Sequence, residues 1–386
     1  MNHYQLWGMP ASLWTGKARS YLRKKQIPFT ERAINQSKYL DEIVPAVGRF
    51  ILPVLECPDG SLVQDSTDII DYLDQHEPSN NSVLLGSSVL DCIGHVFELF
   101  GGEGMLRSAM HYRWNFDEIN LDFLRSEFST SIGPVGSTDE EYDAVFDFSS
   151  GRMRKVAVSW GVTPESIPLV EASFKEFLSL FSDHLRAHPY LLGSRPTVGD
   201  FGLIAPLFAH LGRDPAPALL IKQTAPRVSR WIERMNSPEE KWAEHSEHDT
   251  MIDASNLPDT LLKLMAYVAE EYLAEITAHV EFTNAWLAER PDLEAGTNGL
   301  DKPGTRFIGS CNFEWRGIEL QTSVMPYRFY LLQRVQDCYD HASQAEQTAI
   351  EAIFEQTELL PLLSSRTKRR VERLNYLEVW GKARDL

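Results

Sequence analysis

The chain has 386 residues, 43% of them hydrophobic, and its 55 acidic against 37 basic residues give a formal net charge of −18. That length allows two or three domains with ample core, and the acidic excess argues against nucleic acid or an anionic membrane as partner, because phosphate binding draws on clustered Lys and Arg. Cys57, Cys92, Cys311 and Cys338 are far apart and form no CxxC pair, so neither a disulfide framework nor a zinc site is indicated. With no apolar run of about 18 residues and no signal-like leader, a soluble cytoplasmic protein is expected.

In chain order, residues 4–7 read as a strand, 13–25 as a helix with Arg19, Arg23, Lys24 and Lys25 on its wet side, 29–34 as a strand and 39–44 as a weak helix. "FILPVLECPDGSLVQDSTDIIDYLDQ" (50–75) comes next. Its Pro53 interrupts an apolar, strand-like run where it cannot donate to a ladder. Such a proline belongs at an edge, a bulge or a strand start after an X-Pro bond to which cis is accessible. Pro58, Asp59 and Gly60 supply a turn, 61–64 a second strand, and Asp65 or Ser66 a cap for a helix whose Ile69, Ile70, Tyr72 and Leu73 keep a 3.6-residue period. The order βαβαββα is that of a thioredoxin-like fold.

"EPSNNS" (77–82) is a turn-rich linker. Helices are predicted at 89–110, 112–128, 146–160, 164–188, 198–211 and 225–235, with a loop at 129–143. Thr197 and Asp200 form a capping-box pair. His245 and His248 in "EHSEHD" offer metal donors, but i,i+3 histidines at a fading helix end read as solvated. Farther on, 257–290 reads as a long helix, 306–324 as a hairpin turning at Gly317, and 326–339, 345–363 and 367–380 as helices. The basic "RTKRRVER" (366–373) reads as a solvated helix face.

"LPVLECPDGSLVQDSTDIIDYLDQHEP" resembles the glutathione-binding half of a cytosolic glutathione S-transferase, and "YLLGSRPTVGDFGLIAPLFAHL" (190–211) resembles that family's second signature. The resemblance implies an α/β thioredoxin-like domain over 1–78, an all-α domain over 88–245, and a mostly helical C-terminal extension over 250–386 that it does not cover. It also implies glutathione as ligand, its backbone antiparallel to Leu52 ahead of Pro53, and its γ-glutamyl end at Asp65 and Ser66. Helix-start amides favour a carboxylate there, and an acidic side chain favours an ammonium.

Aligning Lys17 and Arg19 with the basic residues of the family's first helix puts Ser12 at the position of the serine- and cysteine-type members. The tyrosine-type position falls on Gly8. A Ser12 hydroxyl could then donate to the glutathione sulfur and lower its pKa; the alternative is that it only caps its helix. Arg49 either binds the glycine carboxylate or lies on the surface. Trp14, Met105, Met110, His111, Tyr112 and Trp114 are candidates for the acceptor-pocket wall, although such a stripe also fits core; His111 is either a surface histidine or a base. The signatures of two well-known classes are absent, which leaves the class open. The implied chemistry is attack of enzyme-held thiolate on a small apolar electrophile, in a possible homodimer. The alternative is a non-catalytic scaffold that engages a partner through the extension.

Overall fold

In the computed structural model, which describes residues 3–77, 81–239, 242–245, 247, 249–302 and 304–384, β1 (Tyr4–Gly8) runs parallel to β2 (Phe29–Ala33) and antiparallel to β3 (Val54–Glu56). β3 pairs with β4 (Leu62–Gln64), giving the sheet order β2-β1-β3-β4. A parallel pair needs a crossover, supplied by α1 (Leu13–Lys24). The β3–β4 pair turns tightly through Gly60 at φ 86°. Pro53 precedes β3 and lies outside the ladder, so the sheet loses no donor to it, and the Leu52–Pro53 bond is cis. A π-turn over Tyr39–Ile43 runs into the short α2 (Val44–Val47), and α3 (Ser66–His76) succeeds β4.

The helical region comprises α4 (Ser88–Leu99), α5 (Leu106–Trp114), α6 (Asp117–Ile132), α7 (Asp139–Ala157), α8 (Ile167–His184), α9 (Val198–Ala209), α10 (Pro215–Thr224) and α11 (Pro226–Met235). α4 and α9 touch backbone to backbone: a Cβ on Gly202 would lie 2.4 Å from Cα of Glu98. Asp200 closes the capping box with Thr197 and also accepts from the Leu191 amide at 2.9 Å and the Trp231 indole at 3.1 Å. The sequence reading does not include α10. Its Pro215 and Pro217 suggest a breaker, but both sit in the first turn, whose amides have no intrahelical acceptor to lose.

The remainder holds α12 (Asp259–Val268) and α13 (Ala274–Ala288), joined by a π-turn, a hairpin of β5 (Gly309–Trp315) and β6 (Ile318–Val324), then α14 (Pro326–Asp340), α15 (Gln344–Gln356), α16 (Pro361–Ser364), β7 (Arg369–Leu374) and β8 (Leu377–Ala383). The first hairpin turns at Arg316 and Gly317, where the sequence places it. The last one corrects the sequence reading: 367–380 is not a helix. Val371, Leu374 and Trp380 coincide with helical spacing, while the true turn, Asn375 and Tyr376 at φ 49° and 64°, lacks the glycine that usually announces it. This last third is not appended to the rest, since one continuous apolar core runs from Tyr4 and Leu6 through Phe97 and Phe201 to Leu264, Val335 and Trp380. α14 covers the face of α4 turned away from α9.

Candidate functional site

The chain leaves β4 and enters α3 through Asp65, whose backbone stands at φ 89°, ψ 140°. That positive φ is unfavourable for a residue with a Cβ, and side-chain bonds hold it. Asp65 Oδ1 accepts from the Thr67 amide at 2.8 Å and from the Tyr327 hydroxyl of α14 at 2.6 Å. Oδ2 accepts no hydrogen bond among the described residues. Next to it, the Ser66 hydroxyl is fully buried and has no hydrogen-bond partner among the described residues. The Asp65 amide approaches the Pro53 carbonyl at 3.5 Å, which sets the helix start beside the Leu52–Pro53 bend. The Ile51 carbonyl is taken by the Tyr39 hydroxyl, but among the described residues nothing hydrogen-bonds the main chain of Leu52. Leu52, Pro53, Asp65 and Ser66 therefore lie side by side where β4 gives way to α3.

Ser12 is the N-cap of α1: its backbone is extended at φ −85°, ψ 129°, and its Oγ accepts from the Thr15 amide at 3.3 Å. Arg113 of α5 secures this end of the helix by donating to the Ala11 carbonyl at 2.7 Å while paired with Asp214. Met9 and Ala11 join Met110, Trp114, Phe128 and Phe146 in an apolar cluster against which Leu52 also packs. Trp14 is half-buried and packs with Leu13, Leu106 and Ala109. Met105 and Tyr112 belong to the main core. Trp114 is buried, its indole N–H without a partner among the described residues.

His111 is 1% exposed, which corrects the surface reading. One ring nitrogen lies 3.3 Å from Glu171 and the other 2.9 Å from Asn115, against the rings of Tyr112 and Phe116. Burial pushes the imidazole pKa down from its usual value, and Glu171 opposes this only in part. His245 stands on the short Ala243–His245 turn, and His248 lies outside the described residues, as do linker residues 78–80.

Arg49 is the second correction, because its side chain is 8% exposed and both of its terminal nitrogens are engaged, while Nε is buried without a partner among the described residues. Nη1 donates to Glu378 Oε2 at 2.9 Å; Nη2 donates to Glu378 Oε1 at 3.1 Å, to the Tyr376 carbonyl at 2.6 Å and to Gln64 Oε1 at 3.3 Å. Arg373 of β7 approaches the same glutamine, donating to its carbonyl at 3.1 Å, while its Nε reaches Asp68 Oδ2 at 3.1 Å and its Nη1 the Glu378 carboxylate. Tyr376, at the hairpin tip, joins the apolar cluster of Trp7, Tyr39, Ile43 and Val54, which Leu52 also borders. The basic run is thus no solvated face: Arg366 pairs with Asp340, Arg370 with Asp337 and Arg373 with Asp68.

Two carboxyl groups here titrate in opposite directions. Burial works against ionising Glu378, but the Arg49 hydrogen bond and the charges of Arg306 and Arg373 outweigh it and hold the carboxyl at about 2. At Asp68, burial and the adjacent Asp65 charge outweigh Arg373 and push the group up to about 6. The hairpin residues carry no local sequence signal of this role.

Against known proteins, the glutathione S-transferase N-terminal domain family matches residues 6–81, and the glutathione S-transferase C-terminal domain family matches residues 164–234. No curated protein matches the chain. Among solved structures, the chain is similar to the beta-etherase LigF from Sphingobium sp. strain SYK-6, with 18% identity, 61% of this chain and 96% of that one covered, and a TM-score of 0.42. It is similar to a glutathione S-transferase from Rhodospirillum rubrum F11, at 13% identity over 68% of this chain and 99% of that one, with a TM-score of 0.39. It is also similar to a glutathione S-transferase of Ceriporiopsis subvermispora solved in complex with glutathione, at 16% identity over 60% and 96%, with a TM-score of 0.40.

Proposed function

We propose that this chain, which belongs to the glutathione S-transferase superfamily, binds glutathione between Leu52 and the start of α3 and turns its thiolate on a small apolar electrophile. One observation carries the reading: polar groups that a folded protein normally satisfies are left open together at this place. The Leu52 main chain can pair with an extended peptide, Asp65 Oδ2 can take its α-ammonium, and the Ser66 hydroxyl with the α3 amides can take its α-carboxylate.

Ser12 fits the thiol end. A hydroxyl has one proton and two lone pairs, so Ser12 can accept the Thr15 amide as cap and still donate to a sulfur. Together with the dipole of α1, that bond favours the thiolate, which a free thiol of pKa near 8.5 barely populates at neutral pH. Met9, Met110 and Trp114 supply apolar surface beside it for the electrophile. The four free thiols suit a reducing compartment such as the cytoplasm, and among the described residues no helix is long and apolar enough to cross a membrane.

A scaffold role is the second reading, and the capture of Arg49 by the last hairpin favours it. Calorimetric titration with reduced glutathione tests the proposal: binding weakened by Asp65→Ala with Ser66→Ala supports it, and no binding at millimolar glutathione refutes it.

A further inference from the structure

Glu378 holds Arg49, the arginine nearest in sequence to Leu52, in a bidentate pair. Arg49 and Arg373 both approach the Gln64 side chain, next to Asp65, so both guanidinium groups stand beside the start of α3. An extended peptide paired with Leu52 and anchored by its amino end at α3 covers only about 3.3 Å per residue. Its carboxyl terminus would find its complementary charge at Arg49, three positions before Leu52 in the chain. Yet Glu378 bridges the two arginines: both of its oxygens engage Arg49, and Oε1 also engages Arg373. The Tyr376 carbonyl takes a further Arg49 proton, and the Tyr376 ring seats the hairpin tip in the cluster bordered by Leu52. The end-on face of Arg49 is thus filled, and its remaining Nε–H, unpartnered among the described residues, is buried.

We infer that Glu378 is a specificity-determining residue: it supplies Arg49 with a carboxylate from within the chain, so the site binds γ-glutamyl-cysteinyl thiols without reading a carboxylate at their far end. This rests on glutathione binding at Leu52 and α3. Asp65, Ser66 and the Leu52 main chain, to which the hairpin makes no hydrogen bond among the described residues, select the γ-glutamyl-cysteinyl portion; the part of the ligand beyond its cysteine meets a neutralised arginine. Ligands amidated, esterified or extended at the glycine are then accepted as well as glutathione itself.

The test is calorimetric titration of the full chain with glutathione and with its glycyl amide, which lacks only the terminal negative charge. The native protein should bind the two within about twofold. In Glu378→Ala, the vacated guanidinium should favour the free acid over the amide by about tenfold, the usual gain of one charge-assisted pair. Thermal melting reports whether the variant is folded, and the isosteric Glu378→Gln, also uncharged, serves if the alanine variant is not. A native protein that already prefers the acid tenfold, or a ratio that neither variant changes, overturns the inference while leaving glutathione binding intact. Failure of both ligands to bind native and variant protein alike overturns the proposed function and this inference with it.

Discussion

Tyr327, on α14, donates its hydroxyl proton to Asp65, 262 positions earlier, at 2.6 Å, and stands 3.1 Å from the Thr67 hydroxyl that Lys17 also reaches. The start of α3 is thereby held from outside its own module. Tyr327→Phe should remove a buried hydrogen bond to a charged acceptor and lower stability by about 1.5–3 kcal/mol in urea unfolding. Unchanged unfolding would mean that the Thr67 amide alone holds Asp65.

Asp65 and Ser66 should respond differently to truncation. Asp65→Ala loses a helix cap, about 1 kcal/mol, together with the Tyr327 hydrogen bond, so it should destabilise more than Tyr327→Phe does, and it should lose at least tenfold in glutathione affinity. Ser66→Ala removes a buried hydroxyl that has no partner among the described residues, so it should leave stability level or slightly raised while still weakening binding. A Ser66→Ala protein that melts lower and binds as before would place the hydroxyl in the fold and not in the site.

Ser12 separates catalysis from capping. Ser12→Ala should lower stability by about 1 kcal/mol as a lost cap. If the hydroxyl donates to sulfur, the substitution should also move the ultraviolet titration of bound glutathione to higher pH and slow turnover by about 2–4 kcal/mol of barrier. Ser12→Gly caps nearly as well without a hydroxyl: lost turnover at retained stability supports catalysis, and retained turnover refutes it.

The two shifted carboxyl groups at the last hairpin should give opposite pH slopes. Glu378 is held at about 2 when folded, below its unfolded value, so its contribution is complete above about pH 4.5 and fades as pH falls toward 2. Glu378→Gln should therefore cost about 3 kcal/mol at pH 7 and little at pH 2. Asp68 is pushed up to about 6, so the folded state takes up this proton first on acidification. Its contribution should rise by about 3 kcal/mol from pH 6 down to pH 4 and vanish in Asp68→Asn. Urea unfolding of both variants between pH 2 and 7 would reveal a wrong sign in either.

Much of the sheet and of the helix start beside it is legible in the sequence, because the signals are local. Pro53 marks where the ladder cannot begin, Pro58 to Gly60 set a turn, and Asp65 announces a helix two residues before its first amide needs a partner. The last hairpin is illegible for an equally physical reason: its apolar residues fall by coincidence at helical spacing and its turn uses Asn375 and Tyr376. The engagement of Arg49 is further out of reach. Its partner lies 329 positions away, and a lone arginine reads the same whether it will meet solvent or a glutamate folded back from the far end. His111 fails likewise, since only the packing of Tyr112, Phe116 and Glu171 around it decides its burial.

The continuous core also orders events in time. Synthesis delivers Leu52, Asp65 and Ser66 long before Val371 and Trp380, which are 2% and 1% exposed in the finished molecule. Until α14 emerges, the surfaces of α3 and α4 that it covers stay wet, and until Glu378 follows, Arg49 has no glutamate. The helix start and the arginine are therefore both completed only by the final third of the chain, one through Tyr327 and the other through Glu378.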